Sequence, residues 1–94
     1  MLESEIEKEL VRRVRAAGGK AFKWVSPGNA GVPDRIVIMP GGRIWFVELK
    51  ADTGRLSPAQ QRQINLLNRL GVRTFILKGQ KGLETFTEMI GGEA

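Results

Sequence analysis

Residues 33–50 read PDRIVIMPGGRIWFVELK, and this stretch decides the fold. Two apolar runs rich in β-branched and aromatic residues, 35–39 and 43–50, flank Pro40-Gly41-Gly42, so the segment predicts a β-hairpin. Three polar residues stand where an ordinary hairpin has no need of them. Asp34 marks the entry to the first run, and Glu48 and Lys50 close the second. Because the pleat alternates, Glu48 and Lys50 share one face and Leu49 takes the other. Pairing around Gly41-Gly42 sets opposite each other positions whose numbers add to about 83, which brings Asp34 near Leu49 and within lateral reach of Glu48 and Lys50. Two carboxylates and a lysine converge.

Outward from the hairpin, residues 51–56 form a polar connection, and Ser57-Pro58-Ala59-Gln60 opens a helix with an N-cap, a first-turn proline and a box-closing glutamine. Ile64, Leu66, Leu67 and Leu70 supply its apolar stripe, and Gly71 ends it. Residues 72–77 predict a further strand, and 83–90 a short closing helix before a Gly-Gly-Glu-Ala tail. In the other direction, residues 21–25 alternate like a strand, and 26–33 are dense in residues that break regular structure. Residues 4–17 are an amphipathic helix carrying Ile6, Leu10 and Val14, with Ser4 and Glu7 spaced as a capping box and Gly18-Gly19 as the stop. The order is αβββαβα. The strand, helix, strand sequence from 43 to 77 implies a right-handed crossover and a parallel pair, hence an α/β domain with a mixed central sheet flanked by helices.

With 94 residues, 41% of them hydrophobic and 27% charged, the chain is expected to form one globular domain over 1–94 with a thin core that a homodimer would reinforce. It has no cysteine and no histidine, which excludes disulfides, thiolate zinc sites, cysteine nucleophiles and the commonest general base. Catalysis must rest on carboxylates and lysine. Fifteen Lys and Arg against ten Asp and Glu give a net charge of +5, the imbalance expected of a protein that meets a polyanion. The acidic start lacks the pattern of a signal peptide and no apolar run reaches membrane length, so the expectation is a cytoplasmic protein with no membrane partner.

Clustered carboxylates repel each other unless a cation joins them, and oxygen ligands without nitrogen or sulfur point to Mg²⁺ or Mn²⁺. Such an ion suits hydrolysis at phosphorus, with Lys50 positioning the attacking water or steadying the charge that develops.

Gly31-Val32-Pro33-Asp34, Glu48-Leu49-Lys50 and Leu56-Ser57-Pro58-Ala59-Gln60, in that order, resemble the VRR-Nuc family of PD-(D/E)xK nucleases. The resemblance spans nearly the whole chain, in the stand-alone, phage-type form. It implies a restriction-endonuclease-like fold in which Asp34 and Glu48 bind the divalent metal, the Leu49 carbonyl completes the coordination, Lys50 assists the nucleophilic water and Gln60 supports the site. It also implies a first-helix glutamate at the metal. Glu3 and Glu7 compete for that role, and Glu7 is favoured because its setting also looks like the first helix of archaeal Holliday-junction resolvases. The implied substrate is DNA in virus-type replication and repair, with branched forms such as four-way Holliday junctions foremost, in a bacterial or phage-infected cell. Symmetric cutting would require a homodimer.

Blander readings stand beside these. The capping boxes by themselves explain Gln60 and Glu7. Trp24, Trp45, Phe22, Phe46 and Phe75 are expected in the core or a dimer interface rather than under bases. Lys23, Arg35 and Arg55, with Ser26 and Asn29 in the 26–33 loop, are candidate DNA contacts, while the loop's spacing matches no P-loop, so no nucleotide cofactor is expected. The main rival is a non-catalytic DNA-binding module of the same fold.

Overall fold

The structure, a computed structural model, describes residues 1–92. It runs α1 (Glu3–Ala16), β1 (Lys20–Lys23), β2 (Arg35–Met39), β3 (Arg43–Lys50), α2 (Pro58–Arg69), β4 (Thr74–Lys78) and α3 (Gly79–Gly92). The sheet order is β1-β2-β3-β4, antiparallel except for the parallel pair β3 and β4 that the α2 crossover predicts. No helix among the described residues is long and apolar enough to cross a membrane.

The pleat gives the sheet two unlike faces. Val37, Met39, Trp45, Val47, Leu49 and Leu77 are buried on one of them. Against it pack Ile6, Leu10 and Val14 of α1 and Leu83, Phe86 and Ile90 of α3, each nearly removed from water and each contributing about 1.5–3 kcal/mol. Arg13 ties the two helices together by donating to Thr87 Oγ1 (3.1 Å) while it also binds Glu9. Hydrogen bonds from Arg12 and Arg13 hold Glu9 well below the usual carboxylate range, at about 2. On the other face Phe22, Ile38, Ile44 and Ile76 remain 37–43% exposed, and α2 touches the sheet at both its ends, through Gln60 at Glu48 of β3 and through Asn68 at Thr74, the first residue of β4.

Several local expectations are corrected. The hairpin register adds to 82, as in Val37↔Trp45, because the turn centres on Gly41 alone. One step past Arg35↔Val47, Asp34 therefore faces Glu48 rather than Leu49. Ser4 does not cap α1: the N-cap is Leu2, whose N–H donates to the Glu5 carboxylate (2.7 Å) one turn on, which frees Glu7 from capping. β1 ends at Lys23, before Trp24 and Val25. In α2 only Ile64 of the expected stripe is buried, and Leu66 and Leu70 are exposed at 39% and 69%, because no second layer covers that helix. α3 starts directly after β4 and includes Gly91 and Gly92, since packing on α1 outweighs glycine's low helix propensity. Of the expected tail, Glu93 and Ala94 lie outside the described residues.

Candidate active site

The carboxylates meet where β2 begins and β3 ends, under the first turn of α2. The backbone carbonyl of Asp34 accepts the Trp24 N–H (3.0 Å), which turns the backbone groups of Asp34 toward β1. Its side chain reaches the other way, and Oδ2 accepts the Leu49 N–H at 2.8 Å. Continuing the register puts Pro33 opposite Leu49. Proline has no N–H to give, so Asp34 completes the ladder on the donor side and the Leu49 carbonyl receives nothing from Pro33.

Glu48 is 2% exposed and is the one buried charged residue among those described. Its Oε2 accepts from Gln60 Nε2 (3.1 Å) and lies 3.8 Å from Lys50 Nζ. Its Oε1 is buried and no donor reaches it, with the Asp34 carboxylate as its polar neighbour. Burial first, then the charge and hydrogen bonding of Asp34, together raise this carboxyl to about 8 against the weaker pull of Lys50. Glu3 adds a smaller upward push. A buried acceptor left unsatisfied costs about 1–3 kcal/mol. Two arrangements relieve it: a proton shared with Asp34, or a cation between the two carboxylates.

Gln60 serves the helix cap and the site together. Its N–H donates to Ser57 Oγ (3.1 Å) and its Oε1 accepts the Ser57 N–H (2.8 Å), which closes the capping box, while its Nε2 holds Glu48. Gly31 seats this helix turn. Its φ is +88°, and a Cβ there would fall 2.5–2.6 Å from the Ala59 carbonyl and the Gln60 nitrogen.

The other predicted residues lie in mixed positions. Glu7 turns to Arg35 (2.9 Å), whose guanidinium also donates to the Ala21 carbonyl, so this pair locks α1 to the sheet on the face away from Glu48. Glu3 is the first-helix carboxylate whose charge reaches Glu48. Asn29 and Ser26 bond to each other within their turn (2.9 Å), while Lys23 and Arg55 are exposed. Among the described residues no third acidic side chain closes on Asp34 and Glu48 as a ready-made metal cluster. Two features went unread in the sequence. Lys78 stands beside Lys50 in the parallel register, and Gly31 holds α2 against the Pro33 loop. The first needs the β3–β4 register and the second a tertiary contact, although the Gly31-Val32-Pro33-Asp34 motif already contained the glycine.

Comparison with known proteins bears on the family and the fold. A family profile described as the VRR-NUC domain matches residues 2–81. A phage protein named "Putative nuclease p44", from Acyrthosiphon pisum secondary endosymbiont phage 1, is 49% identical over 78 residues, covering 83% of this chain and 84% of its own. A solved structure titled VRR_NUC domain superposes with a TM-score of 0.85 at 30% identity, over 94% of this chain and 96% of that one.

Proposed function

Because this chain belongs to the VRR-NUC domain family, whose restriction-endonuclease-like α/β fold it shares, we propose that it is a Mg²⁺- or Mn²⁺-dependent nuclease that hydrolyses DNA phosphodiesters at Asp34, Glu48 and Lys50. The buried Oε1 of Glu48, which no donor reaches, beside a second carboxylate carries the reading. A structural ion pair has no use for such an atom, whereas a metal ligand must keep it open.

The donor set fits the ion. Asp34, Glu48 and the Leu49 carbonyl offer only oxygen, and Mg²⁺ characteristically takes one or two carboxylates and fills the rest with water and substrate phosphate. The bound ion would polarise the phosphoryl oxygen and lower the pKa of an attacking water. Gln60 holds the Glu48 carboxylate by Oε2 and leaves Oε1 without a donor, and the Leu49 N–H holds Asp34. Lys50, 15% exposed, presents its ammonium beside Glu48 to orient the water and steady the charge on phosphorus, with Lys78 adding a second positive charge along the same edge. Of the two first-helix candidates Glu3 is the one whose charge is felt at Glu48, which supports it over Glu7 as the residue that would assist through water.

With no separate module for reading bases, recognition of DNA shape is the coherent mode, and branched substrates such as four-way junctions follow from it. Paired cuts need two sites. The half-exposed apolar face of Phe22, Ile38, Ile44 and Ile76 is the surface on which a homodimer would form.

The test is cleavage of labelled four-way-junction, flap, single-stranded and linear duplex DNA, with an RNA strand alongside, in Mg²⁺, Mn²⁺ or EDTA. Wild type should cut only with metal and prefer the junction. Asp34→Asn should be inactive, and Lys50→Ala should lose on the order of 10²–10³-fold. Folded wild type that shifts DNA in a gel but never cuts it would make this a binding module.

A further inference from the structure

Between Asp52 and Glu84 the chain has no acidic residue, yet it carries Arg55, Arg62, Arg69, Arg73, Lys78 and Lys81. The rest of the chain holds nine basic and ten acidic side chains, so the whole positive excess resides in this one segment. Elsewhere four basic groups are engaged by carboxylates, Arg12 and Arg13 with Glu9, Arg35 with Glu7 and Lys50 with Glu48. Among the described residues, Arg62 and Arg69 have no such partner, and α2 contains no carboxylate that could supply one.

Helix geometry gathers these charges. At 100° per residue, Arg62, Asn65 and Arg69 fall on one stripe diametrically opposite Ile64 and Leu67, which face the sheet. With Gln63 and Leu66 they line a shallow cleft of about 440 Å³. Asn65 Oδ1 is already taken by Gln61 Nε2 (2.9 Å), so the amide turns its donor outward. The stripe presents donors and positive charge and no negative group.

The same helix begins at the site, where Gln60 holds Glu48. From Gln60 to Arg69 the axis advances about 13 Å and the stripe lies across the helix, which is about 10–12 Å wide, so Arg69 stands about 17 Å from the site, the length of about five nucleotides along one DNA strand. We propose that the outer face of α2 is a phosphate track, on which Arg62 and Arg69 each hold a backbone phosphate of the duplex arm within about five base pairs of the scissile bond, with Asn65 donating between them. This rests on the nuclease reading and adds to it where the duplex lies.

The track is tested in EDTA, where no cutting occurs, by the anisotropy of a labelled duplex titrated with protein from about 50 to 200 mM salt. Arg62→Gln with Arg69→Gln should flatten the slope of log K against log salt by about 1.8, roughly 0.9 for each phosphate lost. Lys8→Gln with Arg15→Gln on α1, the same change in charge, should leave it unmoved, and Arg62→Lys with Arg69→Lys should restore it. In Mg²⁺ the glutamine pair should raise KM and leave kcat alone. An unchanged slope, an equal loss in the α1 control, or a changed sedimentation coefficient without a changed slope would overturn the track. Wild type that binds DNA but never cuts it would overturn the nuclease reading instead, while the slopes still judge the track.

Discussion

Glu48 is where folding and chemistry pull against each other. Its carboxyl is raised to about 8 from an ordinary value near 4.5, chiefly by burial, so the folded chain prefers it protonated. In the metal-free protein its favourable contribution is therefore complete below about pH 4.5 and is lost as pH climbs through 8. Thermal melts in EDTA should show Tm falling across that window, and Glu48→Gln, which stays neutral, should flatten the decline while abolishing metal binding. Metal uptake should release a proton below pH 8 and tighten as pH rises to it, which calorimetry in buffers of different ionisation enthalpy reads directly. At this scale the sequence was informative: Asp34, Glu48 and Lys50 stood out because a purely structural hairpin does not need them. It did not disclose that Glu7 would be taken by Arg35, because ion pairing across 28 residues depends on how α1 docks.

The first turn of α2 is the element that converts a helix cap into part of the site. Gln60 closes a box with Ser57 through its oxygen and holds Glu48 through its nitrogen, so the capping and functional readings are both filled by one side chain. Gln60→Glu separates them. It keeps the acceptor for the cap, so Tm should change little, but it replaces a donor to Glu48 with a third carboxylate. Half-maximal cleavage should then move to higher pH, and a pH–rate profile checks it. Gly31→Ala should act on the same contact from outside: a Cβ at φ +88° against the Ala59 carbonyl forces the loop and helix apart, costing about 1–3 kcal/mol in a denaturant melt together with cleavage. Element order and type were legible because periodicity and caps are local signals. Boundaries failed where tertiary packing decides, as in the two extra glycines of α3, and the register slipped by one because the turn geometry around Gly41 is not written in the hydrophobic pattern.

Across the whole molecule the sheet is covered unequally, with two helices on one face and a single helix on the other. Ile38 and Ile44 are register partners on the open side, each about two-fifths exposed. Ile38→Lys with Ile44→Lys should leave the fold intact, shift sedimentation from dimer to monomer, and turn paired cuts on a four-way junction into single nicks. A wild-type protein that sediments as a monomer at every concentration would dispose of the dimer. The uneven covering also shapes the motion of α2. That helix is anchored by one buried side chain, Ile64, and is the segment expected to detach first in hydrogen exchange. Each detachment takes Gln60 away from Glu48, so on the proposed metal site the association constant for the ion would be its intrinsic value multiplied by the fraction of molecules with the helix in place, and a ligand that clamps α2 should tighten metal binding without touching the metal.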